Sequence, residues 1–113
     1  ISSGDTIIKI ASLLKEKGAG RVYICSTFGF FTDGLDKFDD AYKKGYFDKL
    51  LTTNLVYQSP ELLEKPYYIS CDMSKYIALI IDNLNHDASL SELLNPTGRI
   101  NKLLAKYRAG IRD

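Results

Sequence analysis

The sequence predicts an α/β fold: a mainly parallel sheet flanked by helices. Two observations carry this. Segments with 3.6-residue apolar periodicity alternate with short, nearly continuous apolar runs rich in β-branched and aromatic residues. Strands alternating with helices in this way imply right-handed crossovers and hence parallel pairing.

Residues 6–17 read as the first helix. Ile7, Ile10, Ala11 and Leu14 recur at i, i+3, i+4 and i+7, while Lys9, Lys15, Glu16 and Lys17 lie off that stripe. Gly18 ends it in the left-handed manner of many helix C-termini. Residues 21–27 (RVYICST) form a run suited to a parallel strand covered on both faces. A glycine-bearing loop, residues 28–34, leads to a second helix over 35–44, with Leu35, Phe38 and Tyr42 on one side and Gly45 as its stop. Residues 49–54 are the next strand, 58–61 break the chain, and 66–71 are a third strand with Pro66 at its first position, where a missing N–H is tolerated. Asp72 is the expected N-cap of a third helix with the stripe Ile77, Ile80, Ile81 and Leu84. Residues 89–94 suit a short helical turn. Pro96 opens a separate stretch in which Ile100, Leu103, Leu104 and Tyr107 mark a last amphipathic helix, ending at Gly110. In such sheets ligands sit at the carboxyl ends of the strands. The first helix has no strand before it, and Ile1 reads as the last residue of that strand.

A length of 113 residues suits one compact domain, and 45% hydrophobic with 26% charged residues is an ordinary globular composition. Fifteen basic against 14 acidic residues give a net charge of +1. That balance offers neither the basic footprint of a nucleic-acid binder nor an attraction to anionic membrane surfaces. No apolar run approaches the roughly 18 residues of a membrane span. The opening residues lack the basic and apolar regions of a signal peptide. Met73 is the only methionine, so a fragment of a longer polypeptide is expected. Cys25 and Cys71 stand in runs that read as buried strands and have no neighbour at metal-ligand spacing; two small core residues in a reduced, cytoplasmic protein are expected.

The opening Ser2-Ser3-Gly4-Asp5-Thr6 combines what a phosphate group needs. Gly4 permits positive φ and close backbone approach. Successive amides in such a turn form an anion-binding concavity, and the helix that follows directs its positive end to the same spot. The hydroxyls of Ser2, Ser3 and Thr6 add donors. The same residues also fit a plain Ser/Thr-rich helix cap without a ligand.

Elsewhere the bland readings prevail. His86, the only histidine, suits a surface or capping position after the third helix. Asp33, Asp36, Asp39 and Asp40 lack the spacing of a calcium loop and read as a solvated helix face. Phe28, Phe30 and Phe31 fit core or subunit packing before the wall of a ligand pocket. Arg99, Lys102, Lys106, Arg108 and Arg112 make the tail basic, as a solvated or partner-facing helix would be.

Residues 1–8 (ISSGDTII) resemble the end of the phosphoribosyl-pyrophosphate loop of type I phosphoribosyltransferase folds. Residues 15–32, in the pattern LKxxGAxxVYxxxTHGxFS, resemble ribose-phosphate pyrophosphokinases; so do Leu51-Thr52-Thr53-Asn54 and residues 87–94 (DASLSELL). The resemblance covers residues 1–94 as the C-terminal half of the synthetase domain, truncated at its N-terminal strand, with 95–113 a helical extension. It implies transfer of the β,γ-diphosphoryl group of ATP to the 1-hydroxyl of ribose 5-phosphate with Mg²⁺, in the cytoplasm and by a homo-oligomer. It also implies that Ser2, Ser3, Gly4, Asp5 and Thr6 hold the 5-phosphate, and that Ser89 and Ser91 match an allosteric phosphate site.

Asp5 stands where that family often has Gly or Cys, so its carboxylate must point away from the phosphate. Phe28 replaces the family's histidine, and Leu94 its aromatic. The acidic pair that would meet the ribose hydroxyls lies before Ile1 in the family, and the ATP half is absent, so no catalytic or metal residue is expected here and the chain alone should be inactive. A non-catalytic synthetase-associated module and a nucleobase phosphoribosyltransferase fragment are the competing readings.

Overall fold

The computed structural model describes residues 1–111; Arg112 of the basic tail lies outside them. The chain divides into two compact units, Ile1–Met73 and residues 74 onward, whereas the division expected by resemblance falls after residue 94.

In the first unit the order is α1 (Asp5–Glu16), β1 (Tyr23–Ser26), α2 (Asp36–Lys43), β2 (Lys49–Thr53), α3 (Pro60–Glu64) and β3 (Tyr68–Cys71). The strands form a three-stranded parallel sheet in the order β1-β2-β3. Ile24 is opposite Leu50, and Leu50 opposite Tyr68. An α/β fold with a parallel sheet is therefore what the sequence forms.

Consecutive parallel strands joined by crossovers of one hand carry their connecting helices on one face. Accordingly Ile24, Leu50, Thr52 and Tyr68 are buried on that face, with Phe38 and Ala41 of α2, Leu62 of α3, and Phe47 and Tyr67 completing the core. Phe47 stands edge-on to Tyr67 at 5.3 Å and to Phe38 at 6.4 Å, a favourable geometry for aromatic rings. The expectation of strands covered on both faces fails for this reason. Tyr23 and Ile69 are exposed on the opposite face, and Cys25 is exposed with Cys71 half-buried, so the cysteines are not core residues.

Three local expectations are also corrected. Of the predicted α1 stripe only Ala11 is buried; Ile7 and Ile8 pack against the core, while Ile10 and Leu14 face outward. The small Ala11 and the flanking isoleucines form the contact arc because α1 packs beside α2 rather than squarely over the sheet. The break at 58–61 contains the start of α3: the Ser59 side chain accepts from Leu62 N, with Pro60 at the first helical position, the arrangement that favours a helix start. Pro66 lies in a turn closed by Tyr68 N donating to Lys65 O, not in the strand.

The second unit holds α4 (Ser74–Asn85), α5 (Ser91–Leu94) and α6 (Thr97–Arg108), with no residue of the three helices buried. The Arg99 guanidinium donates to the carbonyls of Glu92 and Leu93 and lies 4.9 Å from the Tyr76 ring centre. No helix among the described residues is long and apolar enough to cross a membrane.

Candidate functional site

The Ser2–Thr6 turn sits at the carboxyl end of β1. The Ile1 nitrogen donates to Phe28 O at 2.8 Å, and Phe30 N donates back to Ile1 O at 2.9 Å. This is the ladder of a parallel strand pair, so residue 1 runs alongside the extension of β1. Thr32 N then donates to Ser2 O, and the Ser2 and Thr32 hydroxyls are 3.2 Å apart. The loop after β1 thus holds the entry to the turn by three backbone bonds and a hydroxyl pair. That loop is itself tightly built: Phe31 has φ of 49° and stands edge-on to Phe38 at 5.2 Å. A Cβ on Gly29 would lie 2.6 Å from the Phe31 ring.

Gly4 is the N-cap residue of α1, with φ of 90°. It is buried, and a Cβ there would come within 2.5 Å of the Phe38 ring. Both the left-handed backbone and the close ring call for glycine. No side chain caps α1. Among the described residues no protein group accepts from the amides of Ser3, Gly4, Asp5, Thr6 or Ile7, and Ile8 N is the first to bond back, to Gly4 O. Unsatisfied first-turn amides carry the positive end of the helix dipole. A cleft of about 210 Å³ opens there, lined by Ile1, Ser2, Ser3, Gly4, Thr6 and Ile7.

Asp5 does not line that cleft. Its carboxylate meets Lys37 of α2, Oδ1 to Nζ 2.9 Å, and accepts from Ser3 Oγ at 3.4 Å. Lys37 Nζ also lies 3.3 Å from Asp33 Oδ2. The hydrogen bond and charge of Lys37 hold the Asp5 carboxyl below the usual aspartate range, and Asp5 in turn raises the Lys37 ammonium. Lys37 and Thr32 are the participants that the sequence reading did not single out. The only signal for Lys37 was a cation among the four aspartates around α2.

Two others of those aspartates are ion-paired: Asp40 with Lys44, and Asp39 with Lys65. Among the described residues no three His, Cys, Asp or Glu side chains gather as metal ligands. His86 is exposed, with Nδ1 2.8 Å from Asp82 O in the last turn of α4. Phe31 packs inward on Phe38 and Tyr68, while Phe28 and Phe30 are exposed with ring centres 5.9 Å apart. Phe30 and Phe31 line a cleft of about 230 Å³ with Leu35 and Tyr57.

Ser89 and Ser91 belong to the second unit and are exposed. Their hydroxyls pair with each other at 2.5 Å, and Ser91 N donates to Ser89 Oγ. Ser91, Glu92, Arg99 and Lys102 line a cleft of about 530 Å³ there.

A parallel α/β sheet with a glycine-initiated helix at its carboxyl edge, its first-turn amides without a partner among the described residues, defines the class of protein. Comparison with known proteins makes the relationship specific. Ribose-phosphate pyrophosphokinase of Shewanella oneidensis is 30% identical over 95 residues, 84% of this chain and 29% of that protein. The Vibrio parahaemolyticus protein of the same name is 27% identical over 95 residues with the same coverage. The chloroplastic ribose-phosphate pyrophosphokinase 2 of Oryza sativa is 30% identical over 93 residues, 82% of this chain and 22% of that protein. The chain's curated relatives are thus ribose-phosphate pyrophosphokinases, and the chain spans under a third of their length. No protein-family model matches it.

Proposed function

We propose that this chain supplies the ribose 5-phosphate-binding turn of a cytoplasmic ribose-phosphate pyrophosphokinase, with Ser2, Ser3, Gly4, Asp5 and Thr6 around the 5-phosphate. The parent reaction moves the β,γ-diphosphoryl group of ATP to the 1-hydroxyl of ribose 5-phosphate. Such chemistry depends on positioning and charge neutralisation. The observation that carries the reading is the row of unpartnered amides from Ser3 to Ile7, which opens on a cleft at the carboxyl end of β1. Ser2, Ser3 and Thr6 line it, and Asp5 contributes its amide alone.

The chain by itself is inactive in this reading. Asp5, the acid of the turn, is committed to Lys37. Ser89 and Ser91 are the proposed second phosphate site.

Titration of the isotopically labelled chain with inorganic phosphate and with ribose 5-phosphate, followed by amide NMR, tests the reading. Saturable shifts should centre on residues 3–7, with a smaller set at 89–91 if the second site holds. Turn amides that stay unmoved at tens of millimolar ligand would overturn the phosphate assignment. A coupled assay should show no phosphoribosyl pyrophosphate formed from ATP, and turnover would refute the inactive reading.

A further inference from the structure

We infer that Lys37 is a positioning residue of the turn: by holding the Asp5 carboxylate outside the cleft, it makes the turn at Gly4 compatible with a dianionic phosphate. This rests on the phosphate reading above and adds to it a residue of α2.

An aspartate at the first position of a helix is favourable for the helix itself, because it complements the positive end. For an anion-binding turn it is a competitor, since it seeks the same field as the ligand. The first-turn amides of α1 are uncapped, yet Asp5 does not fold back on them. It lies instead against Lys37 Nζ at 2.9 Å, braced by Ser3 Oγ. The cleft is consequently lined by every residue from Ile1 to Ile7 except Asp5.

The ammonium is held in place from its other side. Lys37 is the second residue of α2, and Asp33, four residues earlier, reaches it at 3.3 Å. The start of α2 thus presents a cation to the start of α1. Lys9, one turn into α1, adds a further positive charge near Asp5. Removing Lys37 takes away the ammonium that meets the Asp5 carboxylate at 2.9 Å, leaving that carboxylate to the weaker pull of Lys9 beside amides that no protein group engages. Its two open courses, capping those amides or facing the ligand, both oppose a phosphate.

The experiment measures inorganic phosphate and ribose 5-phosphate affinity by NMR titration of the full chain in four forms: wild type, Lys37→Met, Asp5→Asn, and the double variant. Lys37→Met should bind about tenfold more weakly, the scale of repulsion between a unit charge and a dianion roughly 6 Å apart in water. Asp5→Asn should bind at least as tightly as wild type. The double variant should return to the Asp5→Asn level, because no carboxylate remains to be held.

Lys37 and Asp5 side chains are 43% and 58% exposed, so all four forms should share one urea midpoint within narrow limits. Unchanged affinity in Lys37→Met overturns the inference while leaving the phosphate turn standing. So does a double variant as weak as Lys37→Met, which would mean Lys37 acts by direct contact or through the fold. A wild type that binds neither ligand removes the phosphate reading itself, and the role of Lys37 with it.

Discussion

Tyr67 donates its hydroxyl to Asp39 Oδ1 at 2.7 Å, while Lys65 holds Oδ2 of the same carboxylate at 2.7 Å. One carboxylate on α2 therefore anchors two residues of the turn that leads into β3. Tyr67 is 1% exposed and packs between the edge-on Phe47 ring and the tilted Tyr42 ring, so its hydroxyl has no recourse to water. Burial, then the neighbouring Asp39 charge, keeps that phenol protonated far above the ordinary range.

Tyr67→Phe should destabilise the chain by about 1–3 kcal/mol, the usual cost of leaving a charged acceptor short of a buried donor. Asp39→Asn should cost a similar amount. Burial alone would raise the Asp39 carboxyl, but hydrogen bonds from Lys65 and Tyr67 outweigh it and leave it below the usual value. A carboxyl depressed in the folded state contributes stability that is fully present above its unfolded value, about 3.9. That contribution is lost as pH falls through the ordinary aspartate range to the depressed one. Urea midpoints measured from about pH 6 down to pH 3 should fall more steeply for wild type than for Asp39→Asn. Equal slopes would show the carboxylate contributes nothing to the linkage.

Gly4→Ala and Gly18→Ala should separate backbone strain from steric conflict. Both glycines have positive φ, 90° and 95°. A methyl on Gly18 meets nothing within 4 Å, so only the left-handed penalty applies, about 1 kcal/mol. A methyl on Gly4 meets the Phe38 ring, which is fully buried and cannot step aside. Adding about 1–3 kcal/mol of overpacking makes Gly4→Ala cost roughly 2–4 kcal/mol in denaturant melts. Phosphate shifts at residues 3–7 should vanish in Gly4→Ala and persist in Gly18→Ala.

The parallel sheet and helices α1, α2, α4 and α6 were legible because periodicity, glycine stops and β-branched runs are local signals. The turn was legible as a composition, Ser-Ser-Gly-Asp-Thr, before its geometry was known. The one-sided burial of the sheet was not. Near-continuous apolar runs such as residues 22–25 look alike whether one face or two are covered, and only strand order decides. Lys37 was hidden for a related reason. Its meaning depends on α2 starting beside α1, a tertiary fact that one lysine among aspartates does not announce. α3 was missed although Ser59-Pro60-Glu61 carries a helix-start signature, because its five residues are too few for a periodic stripe.

A last prediction concerns the hydroxyl relay that joins β2, β3 and the loop after β2. Gln58 Nε2 donates to the Tyr68 hydroxyl, which leaves that oxygen's proton for Thr52 Oγ1, and Thr52 in turn faces Thr53 O. Ser70 Oγ donates to Gln58 Oε1 at 2.9 Å. The chain of bonds ties the loop after β2 to both strands. Thr52 is 2% exposed and Tyr68 9%, so water replaces a lost partner poorly. Tyr68→Phe strands the Thr52 oxygen without its donor and should cost about 1–3 kcal/mol. Thr52→Val removes the acceptor but leaves the Tyr68 hydroxyl its bond from Gln58, and should cost less. In the double variant the Thr52–Tyr68 pair becomes apolar on both sides, and the remaining cost is that of Gln58 Nε2 losing the Tyr68 oxygen, which Tyr68→Phe already carries. The two single costs should therefore exceed the cost of the double, by a coupling of about 0.5–3 kcal/mol from a double-mutant cycle in urea. Strict additivity would mean that the two hydroxyls do not act as a pair.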